Sequence, residues 1–155
     1  MELTELKPRP EIQENAKLYT KYTQFIALID ELRQKELTPE VVDTINEDIR
    51  TINQCNGTDK ELLKLLRKKQ SCILNELAKK LKIVTKGYYR NMWMVLGMSI
   101  FGIPFGLMFS MALNNFAFIG IGLPMGMPIG MAVGASMDKK AAEEGRQLQV
   151  TLNAR

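Results

Sequence analysis

Between Met92 and Met137 lie 46 consecutive residues without a single Asp, Glu, Lys or Arg. The other 109 residues carry all 38 charges of the chain, 21 basic and 17 acidic. Eight of the 11 glycines and nine of the 10 methionines fall inside the uncharged run. Two solvents are implied, lipid for the run and water for the rest. Asn114-Asn115 divides the run into Met92–Leu113 and Phe116–Met137, 22 residues each. At ~1.5 Å per residue each half spans about 33 Å as a helix, against a hydrocarbon core of ~30 Å. The expectation is a transmembrane helical hairpin over 88–137, with spans 92–113 and 116–137 and a turn at the two asparagines.

The flanks set the expected orientation. Lys79, Lys80, Lys82, Lys86 and Arg90 precede the first span, and Lys139, Lys140 and Arg146 follow the second. The turn is uncharged. The positive-inside rule then places both termini in the cytoplasm. Lys79, Lys80, Lys82, Lys86, Arg90, Lys139 and Lys140 become the lipid-headgroup and topology residues, with Tyr88, Tyr89 and Trp93 as an interfacial aromatic belt. The acidic, polar opening MELTELKPRPEIQEN has none of the character of a secretory leader.

Within the spans the small residues are periodic. Gly122, Gly126, Gly130 and Gly134 make three successive GxxxG steps, and Gly102, Gly106 and Ser110 continue the spacing in the first span. Such ridges let helix backbones approach closely, which is a main source of association in lipid. Gly102-Ile103-Pro104-Phe105-Gly106 and Gly122-Leu123-Pro124-Met125-Gly126 share the pattern G-x-P-x-G. An antiparallel hairpin would set Pro104 and Pro124 at one depth, with Pro128 a turn further on. Gly102, Pro104, Gly106, Gly122, Pro124, Gly126, Pro128, Gly130 and Gly134 are therefore the expected packing and gate residues. Two readings of the prolines stand open: a bendable midplane that gates a pore, or kinked helices packed against neighbours.

Absent residue types exclude chemistry. Without histidine there is no Ser-His-Asp or Cys-His catalytic group and no histidine metal site. Cys55 and Cys72 make neither a CxxC pair nor a disulfide framework. No phosphate-binding glycine loop occurs. An enzyme is not expected, nor a cofactor or metal. With no intramembrane charge, a proton-coupled transporter or charged filter is also disfavoured. A pore would be lined by glycine backbone, Met and a few polar residues: Ser99, Ser110, Asn114, Asn115 and Ser136.

The water-soluble part reads as a disordered lead over 1–10, a three-helix, coiled-coil-like domain over 11–87, and a tail over 138–155. Apolar residues at threes and fours mark a first helix over 11–36, with Tyr19, Tyr22, Ile26, Ile29 and Leu32. Thr38-Pro39-Glu40 opens a second over 39–54. Cys55-Asn56-Gly57-Thr58 is a turn, and a third helix runs from Asp59 to about Thr85. From Lys60 to Asn91 there are ten basic residues and two acids, whereas residues 1–58 hold seven and eleven. An acidic helix pair thus precedes a basic helix. Lys64, Lys68, Lys79, Lys82 and Lys86 fall within a wedge of about 60° at 100° per residue. Topology and lipid contact account for the residues near the membrane. They do not account for Lys64, Arg67, Lys68 and Lys69, roughly 30 Å or more of helix away from Met92. Those four are the candidate site for an anionic ligand such as a nucleotide or oligonucleotide.

Tyr89-Arg90-Asn91-Met92-Trp93, GMSIFGIPFG and IGIGLPMGMPIGMAVGASMDKKAAEEGRQL together resemble small bacterial double-spanning glycine-zipper proteins, over about residues 88–148. More distantly, the layout is similar to channel-forming membrane effectors of bacterial anti-phage defence systems. That second resemblance implies a homo-oligomeric channel whose cytosolic helical domain responds to a nucleotide signal; no residue motif carries a site over from it. The expectation for the whole chain is an all-α protein, a cytoplasmic helical domain followed by a transmembrane hairpin, assembled as a homo-oligomeric and nucleotide-gated ion channel, and the resemblance implies the bacterial inner membrane as its location. Its partners would be the bilayer, its own copies, the anionic ligand and a cytoplasmic protein. The alternatives are a membrane-anchored interaction or scaffold protein without conductance, and a holin-like lytic protein.

Overall fold

The computed structural model describes residues 2–150; Met1 and residues 151–155, which belong to the expected lead and tail, lie outside it. Among the described residues the regular structure is helical apart from one pair of two-residue strands. It divides into two compact units, one of residues up to Thr85 together with the chain from Leu148, the other Lys86–Gln147.

The first unit is built from α1 (Ala16–Arg33), α2 (Pro39–Asn53) and α3 (Asp59–Glu76). α1 begins later than the periodicity suggests. Pro10–Glu14 is a separate 3-10 turn, and the Asn15 side chain caps α1 by accepting from Leu18 N–H at 3.3 Å. α2 starts with Pro39 at its first position, as read from the sequence, but the Thr38 side chain makes no capping bond. At α3 the Glu61 carboxylate accepts from Thr58 N–H at 2.9 Å, the return half of a capping box. α3 packs against both other helices. The core holds Leu18, Phe25, Leu28 and Leu32 of α1, Val41, Ile45, Ile49 and Ile52 of α2, and Leu66 and Ile73 of α3, all under 2% exposed.

The third helix ends earlier than expected. After Glu76 it widens into a π-helical turn, Leu77–Leu81, and stops at Lys82 in the left-handed region, φ 53°. Strand β1 (Val84–Thr85) follows and pairs with β2 (Gln147–Leu148). Leu148 is fully buried in the first unit's core. Beyond it, Gln149 and Val150 N–H donate to the Glu31 carboxylate at 2.6 and 2.9 Å. The expected fraying tail is thus bound, through Val150, to α1.

The expected disordered lead is also placed. Residues 2–9 lie extended along α2, fixed by bonds from Asn46, Asn53 and Tyr22 to their backbone. Composition gave little reason to expect this, because the asparagine and tyrosine bonds run to the backbone of the segment, and Arg9 is the residue whose side chain adds hydrogen bonds to α2.

The second unit is a helical hairpin. Its first arm is α4 (Tyr88–Gly97), a π-helical turn (Met98–Gly102) and α5 (Ile103–Ala112); its second is α6 (Ile119–Glu143) after a 3-10 turn at Phe116–Phe118. Asn114 takes φ 48° at the turn, a conformation that asparagine tolerates better than most residues. The Asn115 side chain accepts from Ala117 N–H at 3.0 Å. The turn read at Asn114-Asn115 is observed. Both arms, Tyr88–Ala112 and Phe116–Glu143, are long and apolar enough to cross a membrane.

Candidate functional site: the seam of the apolar hairpin

The seam begins with a problem of register. In α6 the glycines recur every four residues, but in the first arm Gly97 and Gly102 are five apart. On an α-helix five residues rotate ~500°, which would turn Gly97 about 140° from the Gly102 face. The π-helical turn between them has i→i+5 bonds and absorbs the extra residue. Gly97, Gly102, Gly106 and Ser110 are consequently all buried on one face. Pro104 follows directly within the same continuous helical arm, where it cannot donate to a carbonyl of the preceding turn.

Along this face the two arms meet backbone to backbone. A Cβ added at Gly97 would lie 2.6 Å from Gly126 O and 2.7 Å from Gly130 Cα; one at Gly102 would lie 2.9 Å from Leu123 Cα and 3.0 Å from Gly122 O. At Gly134 it would lie 2.5 Å from Arg90 Cα. Gly122 sits against both Gly102 and Gly106, so the two G-x-P-x-G motifs pair with each other. No ordinary side chain fits at these positions, and no space for a pore remains between the arms.

The seam ends in a carboxylate. Asp138 stands four residues after Gly134, on the same face of α6, and is 9% exposed. There the partner arm reaches its N-terminus, where backbone N–H groups lack helical acceptors. Asp138 Oδ1 accepts from Tyr89 N–H and Oδ2 from Arg90 N–H, both at 3.1 Å. One side chain thereby satisfies two orphan donors and sets a negative charge at the positive end of α4. The site was legible as the fifth member of the four-residue repeat, yet the sequence reading ended the ridge at Gly134.

The outer surface of the hairpin inverts a water-soluble fold. Its buried positions are glycine, Ser110, Asp138 and Ala141. Its large apolar side chains point outward: Val95 is 59% exposed, Met108 65%, Met111 79% and Phe116 82%. Pro104, Pro124 and Pro128 lie on this outer surface too, not in the seam. The nine expected packing and gate residues therefore separate, the glycines into the contact between the arms and the prolines outside it.

The candidate anionic-ligand residues separate as well. Lys69 Nζ is 2.5 Å from Asp48 Oδ1, a carboxylate 6% exposed at the α2–α3 contact. Lys69 is thus committed within the fold, against the expectation. Lys64, Arg67 and Lys68 are exposed. Arg67 lies near the buried Lys21, whose pKa is lowered by desolvation first and by this like charge second. Among the topology residues, Lys80 is bound to Glu40 at 2.9 Å and Glu76 at 3.0 Å. The Glu40 bond first, then that of Glu76, raises its pKa above that of an ordinary lysine. Lys79, Lys82 and Lys86 are exposed. Lys139 and Lys140 approach Glu143 and Glu144 at 3.9 and 4.0 Å along their own helix, contacts that contribute little in water.

No group of His, Cys, Asp or Glu suited to a metal ion occurs among the described residues. No protein-family model, characterised relative or solved structure matches this chain.

Proposed function

We propose that the chain is an integral membrane protein whose hairpin is a rigid two-helix anchor, carrying a helical interaction domain on the cytoplasmic face. The observation that carries this reading is the inverted burial of residues 86–147: a backbone seam inside, large apolar side chains outside. Water would penalise that outer surface at roughly 25 cal/mol per Å2, whereas lipid does not. Both ends of the hairpin bear cations, which supports a cytoplasmic position for both termini. In this reading the glycines serve the fold of one chain and Asp138 locks the arms at the membrane surface. Flotation with liposomes and resistance to alkaline carbonate extraction test the anchor. Release of the protein by carbonate would refute it.

A second reading, the homo-oligomeric pore, is favoured by the outer face of α6. Gly120, Pro124 and Pro128 stand four apart there, and a Cβ at Gly120 would meet nothing within 4 Å. Each proline deprives the carbonyl four residues before it of its helical donor, and such carbonyls in lipid need cover from protein or water. Copies of the hairpin packed through this stripe would supply it, and any conduction path would run between copies. Lys64, Arg67 and Lys68 would then present a polyanion-binding face, the arrangement that the anti-phage resemblance implies. Discrete currents in planar bilayers that respond to oligonucleotides would establish this reading. Silence from a confirmed oligomer would leave the anchor.

A further inference from the structure

We infer that α2 carries a peptide-recognition groove, occupied in this chain by its own residues 2–9 and built to take an extended segment of a partner protein in their place. Asn46 accepts from Thr4 N–H at 2.7 Å and donates to Glu2 C=O at 3.3 Å. Asn53 repeats the arrangement, accepting from Lys7 N–H at 2.9 Å and donating to Glu5 C=O at 3.1 Å. Each side-chain amide takes one carbonyl and the N–H two residues on, using its donor and its acceptor together. The spacings match. Seven helical residues from Asn46 to Asn53 rise ~10.5 Å, and three extended residues from Thr4 to Lys7 cover about 9–10 Å. The two asparagines are a ruler for an extended backbone of any sequence.

Side chains engage the fold at three main positions, and Glu5 adds an exposed ion pair to Arg33 at 3.8 Å. Leu3 is buried at 8% exposure, and Leu6 packs against the same core. The Arg9 guanidinium donates to Ile52, Asn53 and Cys55 carbonyls at 3.1, 3.3 and 2.7 Å, closing the negative end of α2. Tyr22 OH adds a bond to Lys7 C=O. The groove therefore selects apolar, apolar and arginine at positions one, four and seven of an extended segment. Glu2, Thr4, Glu5 and Lys7 are held through their backbone.

The cis segment does not fill its groove. A cavity of about 630 Å3 opens beside it, with an apolar side of Leu3, Leu32, Leu37 and Val42 and a charged rim of Glu2, Glu5, Arg33 and Lys35. A larger apolar side chain at the first position would enter that space, which distinguishes a partner's segment from this chain's own. Three of the four asparagine bonds are solvent-exposed, and a partner's segment that remakes them, together with the Leu3 and Arg9 contacts, offsets the cost of displacing the cis segment. The inference holds whether the hairpin anchors or conducts.

The test uses the full chain in nanodiscs and fluorescent peptides with the sequence of residues 2–11, with Leu or Phe at the Leu3 position. The paired substitutions Leu3→Asp and Arg9→Glu release the cis segment. The released protein should bind the Leu peptide at micromolar Kd, wild type at least tenfold more weakly, and the Phe peptide should bind the released protein more tightly than the Leu peptide. Adding Asn46→Ala and Asn53→Ala should weaken binding at least tenfold. A released protein with unchanged helical circular dichroism that binds neither peptide overturns the proposal, as does binding indifferent to both asparagines. A wild-type dimer that becomes monomeric on release would assign the groove to a second copy and overturn the partner assignment.

Discussion

Replacing Gly126 with alanine, beside the same change at Gly120, isolates the energy of the seam. Both residues lie in α6, and alanine is favoured over glycine in a helix by up to ~1 kcal/mol. At Gly120 the new methyl meets nothing within 4 Å. At Gly126 it would fall 2.7 Å from Gly102 N, and closer still to the Gly97 carbonyl oxygen. Ordinary contact begins at 3.4 Å, so the arms must separate by at least 3.4 − 2.7 = 0.7 Å. Backbone cannot rotate away as a side chain can. The shift loosens the backbone contacts around Gly97, Gly122 and Gly130 together. Overpacking on this scale costs about 1–3 kcal/mol. Because the helix preference is shared, the difference between the two variants approximates the cost of the seam. Unfolding in mixed micelles can be followed by Trp93, the only tryptophan, whose carbonyl lies against Gly130. Gly120→Ala should match or exceed wild type, and Gly126→Ala should fall below Gly120→Ala by about 1–3 kcal/mol. Equal stability of the two variants would refute the backbone seam.

Other consequences follow from single contacts. Asp138→Ala leaves two N–H groups of α4 without acceptors and should destabilise the hairpin by about 2 kcal/mol in the same unfolding assay, with Asp138→Asn in between. Lys69→Ala strands the buried Asp48 carboxylate and should lower stability by about 2–3 kcal/mol, a value reduced for the partial exposure of the lysine, whereas Lys68→Ala should stay within ~0.5 kcal/mol. Lys21 has a folded pKa below that of a free lysine, so in alkali the unfolded chain keeps a proton there that the folded chain has lost. Its contribution therefore makes stability rise with pH across that window, and pH-dependent melting of Lys21→Met against wild type should show this rise removed.

Much of the hairpin was legible because its signals are local. An uncharged run, a paired asparagine and flanking cations need no tertiary information. The four-residue glycine repeat marked a close approach, but not between which helices. That depended on the π-helical turn, which corrects the five-residue step from Gly97 to Gly102 and which periodicity alone does not reveal. Asp138 was hidden by being read as the start of a charged tail rather than as the next member of the repeat. In the first unit apolar spacing located the three helices, but α1 starts at Ala16 and not at residue 11, and the π turn and Lys82 end α3 before Thr85. The lead was misread for a physical reason. Asn46 and Asn53 bind backbone, which leaves no trace in the sequence of the segment they hold, and the trace that exists, Leu3, Leu6 and Arg9, has neither helical nor strand periodicity. Lys69 was misread because distance from Met92 grouped it with Lys64, Arg67 and Lys68, although at 100° per residue it lies outside their wedge, and only the fold brings Asp48 to it.

The central claim is a hairpin that crosses the membrane with both ends on one side. It is tested most directly by labelling intact cells with a membrane-impermeant maleimide. In a Cys55→Ser background, the exposed Cys72 reports the helical domain, and Asn114→Cys, paired with Cys72→Ser, reports the turn. Labelling of position 114 from outside intact cells, with Cys72 labelled only after the cells are opened, is the predicted result. Labelling of both from the same side, or recovery of the chain in the soluble fraction, would contradict the account.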